Sequence, residues 1–170
     1  MKLHIGCGSR RLSGYVNIDK YPTGAADVVT PAHKLDYPAN SVDEIYTSHM
    51  IEHLLPGEFA LALSEWRRVL KVGGKLKIRC PNFEVYVREW LEGPYAVRWG
   101  WGIINLFGHD GRGEGMLTRN GFTHRRLDKL LSANGFKTLH CEATETRPEM
   151  RRTIEFRVDG DLSYEGVKVS

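Results

Sequence analysis

A short apolar run that breaks on a glycine turn, followed at once by a second run that ends on an acid, constrains this chain more than any other feature. Lys2–Ile5 reads as a first strand and stops at Gly6-Cys7-Gly8; Tyr15–Ile18 reads as a second and stops at Asp19, eleven residues past Gly8. Glycines at a strand end let the main chain turn tightly and let backbone N–H groups converge on an anion. A dinucleotide site wants G-x-G-x-x-G with an acid about 20 residues on. Here Arg11 stands where the third glycine belongs, and the acid arrives too early. A second class of site holds a smaller anion, an amino-acid carboxylate beside an adenosine whose two ribose hydroxyls would donate to Asp19; a glycine turn that only serves the fold of an α/β protein fits the same residues equally well.

The first half alternates strand-like and helical segments, as a parallel sheet covered by helices requires. Asp27–Val29 reads as a third strand and Glu44–Ser48 as a fourth. A helix is expected over Gly57–Lys71, with Phe59, Leu63, Trp66 and Leu70 on one face and Gly73-Gly74 ending it. Leu76–Cys80 reads as a fifth strand, closed by Pro81, and Phe83–Glu92 as helical. A helix over His124–Ala133 follows a Thr123 cap. Lys137–Ala143 and Thr153–Val158 read as two antiparallel late strands around a turn near Arg147-Pro148, with residues 159–170 as a tail after a single domain over 1–158.

A chain of 170 residues with 41% apolar and 26% charged residues can bury a real core. Its formal charge of +3 permits an anionic partner without demanding one. Cys7, Cys80 and Cys141 fit no zinc spacing, no signal peptide is evident, and no apolar stretch approaches a membrane span. A cytoplasmic protein is expected.

The stretches KLHIGCG, VNIDKYP, YPANSVDEIYTSHMIEHL and EWRRVLKVGGKLKIRCPN stand in an order that resembles the Rossmann-like (class I) S-adenosylmethionine-dependent methyltransferases. The resemblance is greatest to a short bacterial branch whose first helix is nearly absent. It covers Lys2–Asn82 and, through NGFTHRRLDKLLSANGF, Asn120–Phe136. It implies an α/β three-layer sandwich around a mostly parallel seven-stranded sheet with one antiparallel strand. It implies S-adenosylmethionine as cofactor, Gly6, Cys7 and Gly8 lining the methionine moiety, Asp19 on the ribose and Lys20 near the adenine. Leu35 and Asp36 match the loop flanking the adenine ring; Ser48 and His49 match the strand end near the sulfonium. His4 falls at a further cofactor-side position, where the family often carries an acid or amide. Pro31, Ala32 and His33 occupy a loop that usually holds an acid.

His49 is the candidate general base, because an imidazole titrates near neutrality, with His109 and His124 in reserve. His49, Glu52 and His53 also spell H-x-x-E-H, an inverzincin pattern. Pro56 leaves that segment under two helical turns and no third ligand is evident, so no metal is assigned. Cys80 reads as a buried strand residue. Trp90, Trp99, Trp101 and Tyr95 read as packing or as a stacking platform, and Gly108–Gly115 as a connection or a lid carrying His109, Asp110 and Arg112. The expected reaction is methyl transfer to a hydroxyl or amine of a small polar metabolite or saccharide. Two other readings compete: a module that holds S-adenosylmethionine or S-adenosylhomocysteine without turnover, and an RNA-directed protein using the Arg10-Arg11, Arg67-Arg68, Arg125-Arg126 and Arg151-Arg152 pairs.

Overall fold

The computed structural model describes residues 1–92, 106–108, 117–144 and 161–169. Seven strands form one sheet in the order β3-β2-β1-β4-β5-β7-β6. They are β1 (Lys2–Ile5), β2 (Val16–Asp19), β3 (Val28–Val29), β4 (Val42–Ser48), β5 (Leu70–Pro81), β6 (Phe136–Thr144) and β7 (Asp161–Lys168). The pairs from β3 to β5 are parallel, and β7 runs antiparallel to both β5 and β6. This is the expected architecture. The central strands are buried on both faces, as a covered parallel sheet requires: Leu3, His4 and Ile5 are all inaccessible.

No regular helix lies between β1 and β2. Helix α1 (Pro56–Val69) follows β4 through a single 3-10 turn at Ile51–His53. Leu55 cannot cap α1, so Glu58 reaches back and accepts the Leu55 N–H at 2.8 Å, while Pro56 fills a position that needs no donor. Phe59, Ala62, Leu63, Trp66 and Val69 form its buried face. Leu70, read as the last residue of that helical face, is instead the first of β5. The Gly73-Gly74 stop is a bulge inside that strand: pairing jumps from Val42↔Leu70 to Glu44↔Lys75. Gly73 sits at φ +78, and a Cβ on Gly74 would strike the Lys71 carbonyl, so this tight excursion needs both glycines.

Helix α1 also fixes the loop after β3. The Trp66 indole N–H donates to the Ala32 carbonyl at 2.9 Å, Glu65 accepts the Leu35 N–H at 2.9 Å, and Arg68 donates to the Leu35 and Tyr37 carbonyls. Helix α2 (Phe83–Glu92) follows β5, and α3 (His124–Ala133), capped by the Thr123 hydroxyl, packs Leu127 and Leu131 into the core.

One expectation is corrected here. Residues 161–168, read as part of a tail, form the strand between β5 and β6, with Leu162 and Tyr164 in the core. Three apolar residues among eight, Leu162, Tyr164 and Val167, with Gly166 in their midst, carry a weak strand signal. Thr153–Val158 and the Arg147-Pro148 turn, which read more strongly, lie outside the described residues. Leu162→Ala should therefore cost about 2–5 kcal/mol in urea unfolding, as a buried leucine does; a cost within about 0.5 kcal/mol, as for a frayed end, would contradict this placement.

Candidate active site

The parallel strands bring their carboxyl ends to one edge, where open α/β sheets bind ligands. A cleft of about 580 Å³ opens there. Gly6, Gly8, Asp19, Lys20 and His49 line it, together with Tyr21, Thr23, Met50, His53, Leu54, Glu58 and the Thr30–His33 loop.

The glycine turn is folded onto β2. The Ile18 carbonyl accepts the N–H of Gly6 at 2.8 Å and of Cys7 at 3.0 Å, and the Gly8 N–H donates to Asp19 Oδ2 at 2.8 Å. All three amides of the turn are thus satisfied internally, which corrects the expectation that they converge on a ligand anion. The glycines supply room instead. A Cβ at Gly6 would overlap the Met50 side chain, whereas one at Gly8 would project into open space. Asp19 is held at both oxygens, since Oδ1 accepts the Tyr21 N–H at 3.0 Å. Each carboxylate oxygen retains a second lone pair for a ligand donor.

The other expected positions lie apart from the cleft wall. His4 is buried against Tyr46, with its Nδ1 3.0 Å from Asn17 Oδ1. The Asn17 amide nitrogen already donates to the Leu12 and Tyr15 carbonyls and to Asp27, so Oδ1 accepts and His4 Nδ1 donates. Burial pushes the His4 pKa down and keeps that ring neutral. Cys7 is buried beside Thr23, and burial pushes its thiol up. Leu35 belongs to the core, Asp36 is exposed, and Ser48 pairs with Arg79 in the sheet. The loop flanking the cleft is Thr30–His33, a few residues before the expected Leu35-Asp36. His124 opens α3 in solvent, away from the cleft lining. His109, Asp110, Arg112, Tyr95, Trp99 and Trp101 lie outside the described residues.

His49 adopts φ +51, a strained left-handed conformation for a residue with a side chain. Its Nε2 lies 3.0 Å from Asp161 Oδ2 and its Nδ1 3.6 Å from Glu52 Oε1. Both carboxylates are nearly inaccessible. The hydrogen bond to Asp161, then the Glu52 carboxylate, pushes the His49 pKa up to about 9 against the opposing effect of burial. At neutral pH His49 carries both protons and offers no lone pair, which argues against its expected role as a general base. Asp161 comes from β7, 112 positions away, and no local pattern could have marked it. Among the described residues, no group of three or more His, Cys, Asp and Glu side chains is arranged to hold a metal ion.

Comparison with known proteins bears on the same stretch. Residues 3–78 match the family described as Methyltransferase domain. That match spans less than half of the chain, but it includes β1 from Leu3 on, β2, the glycine turn and the His49–Glu58 wall. Searching the curated proteins finds no significant match. Among solved structures, a SAM-dependent methyltransferase from Methanosarcina mazei superposes with TM-score 0.66 at 18% identity, covering 99% of this chain and 92% of that one. The Burkholderia thailandensis 1,6-didemethyltoxoflavin-N1-methyltransferase, with bound 1,6-didemethyltoxoflavin and S-adenosylhomocysteine, gives 0.63 at 17%, covering 99% and 71%. The [4+2]-cyclase SpnF gives 0.63 at 16%, covering 99% and 74%. The fold is the Rossmann-like fold of the methyltransferases.

The His49 geometry has a pH signature. A folded-state pKa raised from about 6.5 to about 9 contributes stability that is complete below about 6.5 and is lost as pH rises through about 9. Melting of wild type and His49→Gln from pH 6 to 10 should show the wild-type advantage shrinking over that window. The His49 ring signal in NMR should titrate near 9; a midpoint near 6.5 would mean the two carboxylates do not hold its proton.

Proposed function

We propose that this protein is an S-adenosylmethionine-dependent methyltransferase acting on a hydroxyl or amine of a small polar metabolite or saccharide, in the cytoplasm. The observation that carries the reading is Asp19 at the end of β2, fixed by two backbone N–H groups on the wall of the cleft, with the open Gly8 backbone beside it. That pair fits the cofactor: a carboxylate accepts from a vicinal ribose diol, and a bare main chain admits the methionine portion. A volume of about 580 Å³ is within the range of small-molecule sites. The methyltransferase-domain match over residues 3–78 supports the same reading, and the shared fold is compatible with it. The turn without a helix between β1 and β2 is in keeping with the short bacterial branch.

In this reading Tyr21 and the Thr30–His33 loop flank the adenine side, and Lys20, whose ammonium lies 4.8 Å from the Tyr21 ring centroid, stiffens that wall. Met50 and Leu54 make the methionine side apolar and exclude water. The bound cofactor supplies an activated methyl on a positively charged sulfur, so the chain's task is alignment and a dry pocket. His49, as an imidazolium, orients groups and accepts no proton. The acceptor therefore brings its own lone pair, as a neutral amine does, or loses its proton to another group.

A module that binds the cofactor without turnover would share this cleft. The RNA-directed reading has less support: Arg11 pairs with Asp27 at 2.5 Å, Arg68 with Glu65 at 2.7 Å, and Arg126 donates to Asn120 and the Gly121 carbonyl. Those guanidinium groups serve the fold.

Calorimetry with S-adenosylhomocysteine should give micromolar binding, weakened about 10²-fold or more by Asp19→Ala, since hydrogen bonds to a charged group contribute about 1.5–3 kcal/mol each. Equal binding by both proteins would remove Asp19 from the site. Labelled methyl transfer across a panel of amines, sugars and small acids distinguishes the enzyme from the binding module.

A further inference from the structure

Beside the cleft, the structure assembles four charged groups in two layers. Asp161 and Glu52 lie beneath, their side chains 4% and 5% exposed. His49 and Arg79 lie above them, 46% and 43% exposed. One oxygen, Asp161 Oδ2, receives both Arg79 Nε at 2.5 Å and His49 Nε2 at 3.0 Å. The cations are thus neighbours on a single anchor. The main chain links them too, since the His49 N–H donates to the Arg79 carbonyl at 2.9 Å.

The anchor occupies only part of the donor set. Arg79 engages Asp161 through Nε alone, and among the described residues its two Nη groups make no hydrogen bond. A guanidinium fork is matched to the paired oxygens of a carboxylate or phosphate. The buried acids hold the two cations in place, and the half-exposed cations cover them, so the layer facing solvent is positive, and its spare donors are the Arg79 Nη groups, since both His49 nitrogens face the acids. His49 lines the cleft, and Arg79 shares its anchor oxygen, so the fork stands at the cleft's edge. The third basic group of this corner, His53, is turned elsewhere: its Nδ1 lies 3.0 Å from the Leu117 carbonyl and its Nε2 3.9 Å from Glu52 Oε1. The strained His49 backbone fits the same picture, because left-handed residues held by surrounding contacts concentrate at ligand sites.

We infer that the methyl acceptor carries an oxyanion, a carboxylate or a phosphate, and that the Arg79 fork grips it at the carboxyl ends of β4 and β5, with the positive charge of His49 beside it. The inference rests on the methyltransferase reading of the cleft and adds to it the charge of the acceptor. Arg79 and His49 act here as specificity determinants: a neutral acceptor of the same shape leaves the fork unpaired. Asp161 is a positioning residue, acting through both cations.

The test uses the full chain saturated with S-adenosylhomocysteine. Sodium sulfate, a tetrahedral oxyanion, and sodium acetate, a carboxylate, are titrated at constant ionic strength with chloride as reference. Neither probe titrates between pH 7 and 10. The Arg79 Nε–H and His49 ring signals are followed by NMR. A saturable response to sulfate or to acetate, beyond that of chloride, supports the inference and tells the phosphate class from the carboxylate class. Arg79→Gln should weaken that response tenfold or more. Arg79→Lys, which keeps a charge for Asp161 but lacks the fork, should weaken it as well. In wild type the affinity should fall as pH rises past about 9, where His49 loses its proton. Responses no greater than chloride's, or variants that bind the probes like wild type, overturn the inference if S-adenosylhomocysteine still binds normally. Failure of S-adenosylhomocysteine to bind wild type overturns the reading of the cleft itself, and the acceptor inference with it.

Discussion

The Ile18 carbonyl is the point on which the site is built. It accepts two successive amides, Gly6 and Cys7, from the residues that end β1. The chain leaving β1 is thereby bent back over the end of β2 instead of rising into a helix. That bend carries Gly8 onto the Asp19 carboxylate and leaves its α-carbon facing open space. Asp19, tied on its other side to Tyr21, cannot rotate away. One bifurcated acceptor thus sets the floor of the cleft and the direction of its acid. The loop below is stitched by Asn17, which takes the Leu12 N–H and the His4 ring on one oxygen and spreads its amide nitrogen over three acceptors. Buried polar groups persist only when satisfied in this way.

A second constraint acts from the far end of the chain. Placing β7 antiparallel between β5 and β6 brings its first residue, Asp161, to the edge where the parallel strands have their last. An ionised carboxylate at that depth needs partners. Burial alone would raise the Asp161 pKa, but His49 and Arg79 outweigh it and hold the group ionised. The debt runs both ways: the acid needs the cations, and the cations are fixed by the acid. The electrostatics of this edge of the sheet are therefore inseparable from the insertion of the last strand.

The fold was legible from the sequence because its signals are local and repeat. A strand, a glycine turn, a strand ending on an acid, and an amphipathic helix with Pro56 at its start each depend on neighbours within a few positions. The cleft wall was legible where it follows from a strand end, as at Gly6, Gly8, Asp19, Lys20 and His49, all of which line it. It was illegible where tertiary contacts decide. Leu35 turns inward because Trp66, Glu65 and Arg68 clamp its loop, which leaves Thr30–His33 to face the cleft. His4 satisfies Asn17, a partner thirteen residues on. The charge of His49 depends on an acid 112 positions away, and β7 itself is too polar to announce a strand.

A fold shared with both methyltransferases and a [4+2]-cyclase leaves the chemistry to the side chains at the sheet's edge. In this chain those side chains favour electrostatics over proton transfer. A histidine between two buried carboxylates has both nitrogens protonated, and in the proposed reading that imidazolium would repel a nearby sulfonium were the acids not beneath. Glu52 and Asp161 cancel that repulsion at short range, where the low-dielectric surroundings make it largest. In the proposed reading the arrangement would admit a cationic cofactor on one side of His49 while Arg79 presents its spare donors on the other. A neutral histidine would avoid that repulsion without the acids, but it would take away the positive charge beside the Arg79 fork.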